Sequence, residues 1–338
     1  DGGPAWSSSN PTGLNAPPST VIDLGTGRKA VAVDGSEYHI CALLDNGDLK
    51  CWGEEQYGEL GDGGGTNNHT DSNAPSSTPI NLGTGRTAVS VAVGTWHTCA
   101  ILDNGDLKCW GYGYFGQLGN GMWTDRYVPE STNLGTGRTA VAVSAGNLHT
   151  CAILDNGELK CWGSDHYGQV GDGGGSHTSA TRMATPTTVD LGTGRTAVAV
   201  SAGHSHTCAV LDNGDVKCWG RDNYGQLGDG GTHSSNSYTT TPSTAAIDLG
   251  VGRTAVTVSA GGFHTCAILD NGDVKCWGSD SVRQLGDGGT THSSNTYTTT
   301  PSTTAIDLGT GRTAVAVTAG WYHTCAILDN GDMKCWGC

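Results

Sequence analysis

Thirteen cysteines form the most reactive population in this 338-residue chain, and twelve fall into pairs ten positions apart. The pairs are Cys41 with Cys51, Cys99 with Cys109, Cys151 with Cys161, Cys208 with Cys218, Cys266 with Cys276, and Cys325 with Cys335. Thiols in this pattern could ligate a metal or form disulfides. A tetrahedral zinc cage normally draws on a close C-x2-C pair, which none of these supplies. A disulfide across a hairpin instead needs the two Cβ atoms on one face, within about 3.5–4.5 Å. With a two-residue Asn46-Gly47 loop, Cys41 would face Trp52 and the sulfurs would point to opposite faces. A three-residue loop, Asp45-Asn46-Gly47 with Gly47 left-handed, sets Leu43 against Leu49 and Cys41 against Cys51. Six hairpin disulfides are expected, each contributing about 2–3 kcal/mol on the chain-entropy account, and they place the protein in an oxidising compartment. The thirteenth, Cys338, is expected to bond another molecule, to stay a thiol, or to pair with sequence beyond these residues.

The other chemically capable residues repeat just as regularly. His39, His97, His149, His206, His264 and His323 each open a cysteine hairpin, and Trp52, Trp110, Trp162, Trp219, Trp277 and Trp336 follow the second cysteine. A catalytic constellation needs a nucleophile with its base, or carboxylates in unlike environments. Residues that recur six times are expected to serve the framework, so no catalytic residue, cofactor or metal is assigned. Calcium receives only a weak claim from the "LDNGD" and "GDGGG" strings. Neither has the spacing of a dedicated calcium loop, and turn chemistry accounts for Asp, Asn and Gly there.

The elements that carry these residues are short. The first cysteines recur at intervals of 58, 52, 57, 58 and 59 residues, giving six units. Glycine-bounded runs in the second unit predict strands near Thr78–Leu82, Ala88–Val93, Thr98–Leu102 and Leu107–Trp110, with no helix-length periodic segment. Four antiparallel strands repeated six times predict an all-β fold, a β-propeller of four-stranded blades. Six blades are preferred, a seventh entering only if supplied from elsewhere. The repeats divide one domain, 1–338, at about 1–61, 62–119, 120–171, 172–228, 229–286 and 287–338.

The string "CWGRDNYGQLGDGG" at Cys218–Gly231, its cousins "CWGEEQYGELGDGGG" and "CWGSDHYGQVGDGGG", and the His-Thr before the third strand resemble the repeat of the regulator of chromosome condensation family. The resemblance covers nearly the whole chain and implies a propeller, commonly of seven blades where this sequence shows six units. The opening "DGG" and the terminal "CWGC" interrupt the motif, and the segment through Leu24 aligns with Asp62–Leu82, so an N-terminal strand is expected to complete the sixth blade.

Of 32 carboxylates and 17 basic residues, 12 of each belong to repeated motifs, leaving 20 acids against 5 bases in the variable parts and a net charge of −15. That acidity opposes phosphate-backbone binding, which depends on Lys and Arg, and with the disulfides it argues against a nuclear exchange factor. No apolar run approaches the 18 residues of a membrane span.

In an up-and-down blade the "GTGR" and "DNG" turns share one nearly constant face, and the variable turns share the other. Before each motif histidine on that variable face stand Tyr38, Trp96, Leu148, Ser205, Phe263 and Tyr322, with Trp321 preceding the last. Tyr38, Trp96, Leu148, Phe263, Trp321 and Tyr322 form the expected binding face for a protein or glycan. The Ser/Thr-rich loops offer O-glycosylation at Thr239, Thr240, Thr298 and Thr299, and Asn68 heads an N-glycosylation triplet. The expected function is non-enzymatic: a self-associating block of an extracellular fibre or surface assembly, or alternatively a secreted recognition module.

Overall fold

The Asp-Asn-Gly turn fixes the hairpin at the centre of every unit. In the computed structural model, which describes residues 21–64, 72–174, 181–231, 234, 236–289 and 296–338, Gly47 lies at φ +80° and the Leu44 amide donates to the Asp48 carbonyl at 2.9 Å. Leu43 then faces Leu49 and Cys41 faces Cys51. The same register holds in all units, and each expected pair is bridged. Cys41 joins Cys51, Cys99 joins Cys109 and Cys151 joins Cys161, each with a Cα–Cα distance of 4.1 Å. Cys208 joins Cys218 at 4.1 Å, and Cys266 joins Cys276 and Cys325 joins Cys335 at 4.0 Å. A residue with a side chain is excluded at Gly105, the equivalent of Gly47, twice over: φ is +80°, and a Cβ would lie 2.6 Å from Thr139.

Each hairpin carries a third strand on its inner side. Ala88–Val93, His97–Leu102 and Leu107–Gly111 make up most of blade 2, and Arg126–Ser131 adds its outer strand. Blade 3 follows with Ala140–Ala145, His149–Leu154, Leu159–Ser164 and Arg182–Thr188. Blades 4 and 5 repeat the pattern from Ala197 and Ala255, but their outer strands shrink to Tyr238–Thr239 and Tyr297–Thr298. The protein is thus an all-β, six-bladed propeller. Among the described residues, blade 1 (Ala30–Gly35, His39–Leu44, Leu49–Gly53) and blade 6 (Ala314–Ala319, His323–Leu328, Met333–Gly337) have three strands.

The strand expected at Thr78–Leu82 is corrected. Pro79 supplies no donor, and the segment holds the preceding blade through one backbone bond, from the Ile80 amide to the Leu49 carbonyl at 2.9 Å. Its apolar residues serve packing instead, Ile80 and Leu82 being buried. Because the outer strand of blade 2 comes from residues 126–131, sequence repeat and blade are out of phase by one strand.

The apolar core lies between blades. One cluster joins Cys41, Leu49 and Leu60 to Leu82, Leu102 and Trp110, so the disulfide packs into the joint with the neighbouring blade. Cys161 and Cys276 hold the same position in the clusters of blades 3 and 5. Cys335 lies on the open side of blade 6 and is exposed. A polar seam accompanies the core. The Thr207 hydroxyl of blade 4 donates to the Gln169 carbonyl of the preceding loop at 2.8 Å, and the Trp219 indole Nε1–H donates to the same carbonyl at 3.0 Å. Thr207 has then spent its proton, so it accepts from Nε2–H of His149 in blade 3 at 2.9 Å. The same set recurs with Thr98, Thr150, Thr265 and Thr324. The motif histidines and tryptophans are therefore the fasteners between blades.

Among the described residues that seam is made five times. Blade 1 has Ile40 where the other blades have threonine, and Ile40 is exposed. On the far flank of blade 6, Ile327 is 43% and Met333 68% exposed, whereas their blade 5 counterparts Ile268 and Val274 are buried. The inner strands of blades 1 and 6 do not pack as other neighbours do. The N-terminal strand expected to complete blade 6 falls mostly in residues 1–20, outside the described residues. Val21 and Ile22, which are described, are exposed.

Candidate interaction face

The two faces of the ring differ in kind. On the constant face each "GTGR" arginine pairs with the turn aspartate across from it, Arg138 with Asp155 at 3.3 Å and Arg253 with Asp270 at 3.2 Å. These side chains are more than a third exposed, so each pair contributes little, about 0–1 kcal/mol. The "DNG" carboxylates are also engaged by their own turns, as where Asn104 Nδ2 donates to Asp106 Oδ2 at 2.8 Å. Among the described residues no group of three or more His, Cys, Asp or Glu side chains is placed to hold a metal.

The variable face gathers rings. Tyr38 stacks on Trp96 with centroids 4.1 Å apart, and Trp96 meets the edge of Tyr57 at 5.7 Å. Tyr57 packs on Tyr112 at 4.5 Å, which leads on to Tyr114 and Phe115 at 6.3 and 6.1 Å. The run ends on a cation: the Arg182 guanidinium lies 4.5 Å from both the Tyr114 and Trp123 ring centroids and donates to the Tyr114 carbonyl at 2.6 Å. This first cluster spans blades 1 to 3.

A second cluster spans blades 4 to 6. Phe263 contacts Trp321 at 5.6 Å and Tyr322 at 6.2 Å. His204 reaches Trp321 at 4.6 Å, and burial pushes its imidazole down to about 4. Arg221 covers Tyr167 at 4.8 Å. Of the six residues expected on this face, Tyr38 and Trp96 meet in the first cluster and Phe263, Trp321 and Tyr322 in the second. Leu148 stands half-buried on blade 3. The residues the sequence reading missed are Tyr57, Tyr112, Tyr114, Phe115 and His204, together with the two arginines. Tyr57 and Phe115 occupy the "YGQLG" position, where repetition suggested a framework role.

Charge separates the clusters. Tyr38 is raised above the usual phenol range by burial first and then by Glu37 and Glu54. Tyr57 is raised by burial, then by Asp125, Glu59 and Glu54. Four carboxylates thus bear on the first cluster. Glu59 takes the place of Gln117, Gln169, Gln226 and Gln284 of the other units, and its Oε2 accepts from the Tyr57 amide at 2.7 Å as Gln117 Oε1 accepts from Phe115 at 3.0 Å. Burial pushes the Glu59 carboxyl up to about 7, against the lowering by that amide.

The inner strands surround a channel lined by residues such as Val91, Val143, Ser201 and Ala260. Cys338 is exposed and unbridged. The hydroxyl oxygens of Thr239 and Thr298 are shielded from solvent, and the carbonyls of Thr240 and Thr299 accept from Gly173 and Gly230 of preceding loops at 3.0 and 2.8 Å. Asn68 lies outside the described residues.

A family model described as "Regulator of chromosome condensation (RCC1) repeat" matches residues 30–59, 88–117, 140–169, 197–226, 255–284 and 314–338. A second of the same description matches 46–101, 104–153, 156–210 and 213–268. The ultraviolet-B receptor UVR8 of Arabidopsis thaliana is 31% identical over 250 residues, covering 74% of this chain and 53% of the receptor. The mitochondrial RCC1 domain-containing protein RUG3 of the same plant is 27% identical over 318 residues, covering 94% of this chain and 67% of RUG3. The chain therefore spans about half to two thirds of these relatives. Yeast RCC1 (Prp20), solved bound to Kap60, superposes with a TM-score of 0.77 at 19% identity, covering 91% of this chain and 70% of that one.

Proposed function

We propose that this chain, which belongs to the regulator of chromosome condensation (RCC1) repeat family, is a non-enzymatic recognition scaffold that binds a protein partner through its variable face. The observation that carries the reading is the pair of aromatic clusters on that face, Tyr38–Trp96–Tyr57 and Phe263–Trp321–Tyr322. Aromatic side chains held on a rigid frame lose little entropy on binding and dominate interface energetics. Among the described residues the constant face, built from paired charges, carries no comparable ring cluster. Yeast RCC1, alike in fold, binds Kap60, which agrees with protein recognition as a use of this architecture. Six disulfides favour an oxidising location.

The test is cross-linking of the unreduced protein in its native milieu, with the double variant Trp96→Ala/Trp321→Ala and a constant-face control, Arg253→Ala, alongside. Loss of a specific cross-linked partner in the double variant alone is the expected result. Equal capture by all three would refute the reading.

A second reading, a building block of an extracellular assembly, is favoured by the exposed flank of blade 6, where Ile327 and Met333 lie open. Negative-stain microscopy decides it: filaments or sheets support it, and isolated rings remove it.

A further inference from the structure

We propose that the aromatic run of blades 1 to 3, from Tyr38 through Trp96, Tyr57 and Tyr112, docks a peptide segment bearing arginine or lysine side chains. The inference rests on the recognition reading and narrows it to one half of the face and one chemical class of partner.

Three observations converge. The first is the ring geometry: Tyr38, Trp96, Tyr57 and Tyr112 follow one another at 4.1–5.7 Å, and all four are half-buried, with surface left to solvent. Ring faces attract cations, and guanidinium stacks on them best.

The second is that the protein already does this chemistry at the end of the same run. Arg182 sits 4.5 Å from the centroids of both Tyr114 and Trp123, and its Nη1 donates to the Tyr114 carbonyl at 2.6 Å. Tyr114 and Trp123 thus hold a guanidinium beside the open rings, the same chemistry the proposal assigns to those rings. Among the described residues no cation is stacked on Tyr38, Trp96 or Tyr57.

The third is charge. Glu37 and Glu54 act on Tyr38, and Asp125, Glu59 and Glu54 act on Tyr57, so the open rings are set among carboxylates. Glu37 is exposed. The cluster of blades 4 to 6 differs: its rings already carry a guanidinium, Arg221, which covers Tyr167 and approaches Phe263 at 5.9 Å. A cationic segment is therefore drawn to the half of the face whose open rings lie among carboxylates. The net charge of −15 adds long-range steering.

The experiment is a calorimetric titration of the unreduced full chain with oligo-arginine, oligo-lysine and oligo-glutamate peptides across a salt series. Oligo-arginine is expected to bind more tightly than oligo-lysine, and oligo-glutamate not at all. Trp96→Ala should weaken oligo-arginine binding about tenfold, while Trp321→Ala leaves it unchanged. Glu37→Gln, a surface change that spares the packing, should weaken binding severalfold and flatten its salt dependence. Oligo-arginine binding that ignores both Trp96→Ala and Glu37→Gln would reveal only diffuse attraction to an acidic protein and would overturn the proposal, as would binding of oligo-glutamate. If no cationic peptide binds while the cross-linked partner is lost on Trp321→Ala alone, recognition stands and this inference falls. If neither tryptophan affects the partner, both fall.

Discussion

Replacing Thr207 with valine keeps the shape of the blade 3–4 seam and removes its hydroxyl. Thr207 donates to the Gln169 carbonyl at 2.8 Å and accepts from His149 Nε2–H at 2.9 Å. In the variant the carbonyl keeps its bond from Trp219 Nε1 at 3.0 Å, but the histidine donor is stranded. His149 is fully buried, so bulk solvent cannot replace the bond. A stranded buried donor costs about 1–3 kcal/mol and the lost hydroxyl bond about 1 kcal/mol more, so a total near 3 kcal/mol is expected. With an unfolding entropy of roughly 2.1 cal/mol/K per residue, a cooperative unit the size of this chain should melt about 4 °C lower. Calorimetry of wild type, Thr207→Val and Thr207→Ser separates hydroxyl from methyl: serine should recover all but about 1 kcal/mol. A valine variant within about 0.5 kcal/mol of wild type, or a serine variant as damaged as valine, would refute the account of the seam.

Glu59 and the motif histidines give opposite pH responses. The Glu59 carboxyl is raised from 4.5 to about 7, so its contribution is full below about pH 4.5 and is lost as pH climbs through 7. Glu59→Gln should then be more stable than wild type by on the order of 2 kcal/mol at pH 8 and nearly equal at pH 5; an equal difference at both pH values counts against it. His39, His97, His149, His206 and His264 are lowered from 6.5 to about 3, burial being the main cause. Their stabilisation is intact above pH 6.5 and lost as pH falls, at up to about 1.4 kcal/mol per pH unit each, so chemical denaturation between pH 7 and 4 should show a steep decline. A flat profile would contradict their burial as neutral groups. In Cys99→Ser, peptide mapping should find Cys109 free with the other five bridges intact, at a cost of about 2–3 kcal/mol; reshuffled pairing would defeat the hairpin assignment.

The hairpins were legible because a strand allows only two faces. Once Cys41 and Cys51 must share one, the loop can hold three residues and not two, and Gly47 must be left-handed, as it is. The same constraint reads off Cys161, Cys276 and Cys335 as the partners of Cys151, Cys266 and Cys325. The seam was not legible. His149 and Thr207 are 58 positions apart, and no periodicity along a single strand says which histidine meets which hydroxyl. Of the interaction face, the ring preceding each motif histidine could be read because it varies among constant neighbours. Tyr57 and Phe115 were hidden by the reverse effect: they sit in a repeated motif, and only docking of its loop on the next blade brings Tyr57 to Trp96 and Tyr112, where Phe115 packs beside Tyr112 in the same loop. Thr78–Leu82 misled because its apolar residues are buried by packing between blades, where backbone pairing was expected.

Each unit carries one half of the seam at each side, a histidine and a loop carbonyl for the blade that follows and a threonine and a tryptophan for the blade that precedes. A stretch of gene encoding one such unit, copied in tandem or deleted by unequal recombination, would arrive or depart with both halves in place. Every new junction would be chemically identical to the old ones, so blade number could drift in a lineage without compensating mutations. Ile40, the one position that breaks the threonine rule, marks where such copying would be felt: duplicating the unit that holds it would insert a seam with no hydroxyl to receive the histidine.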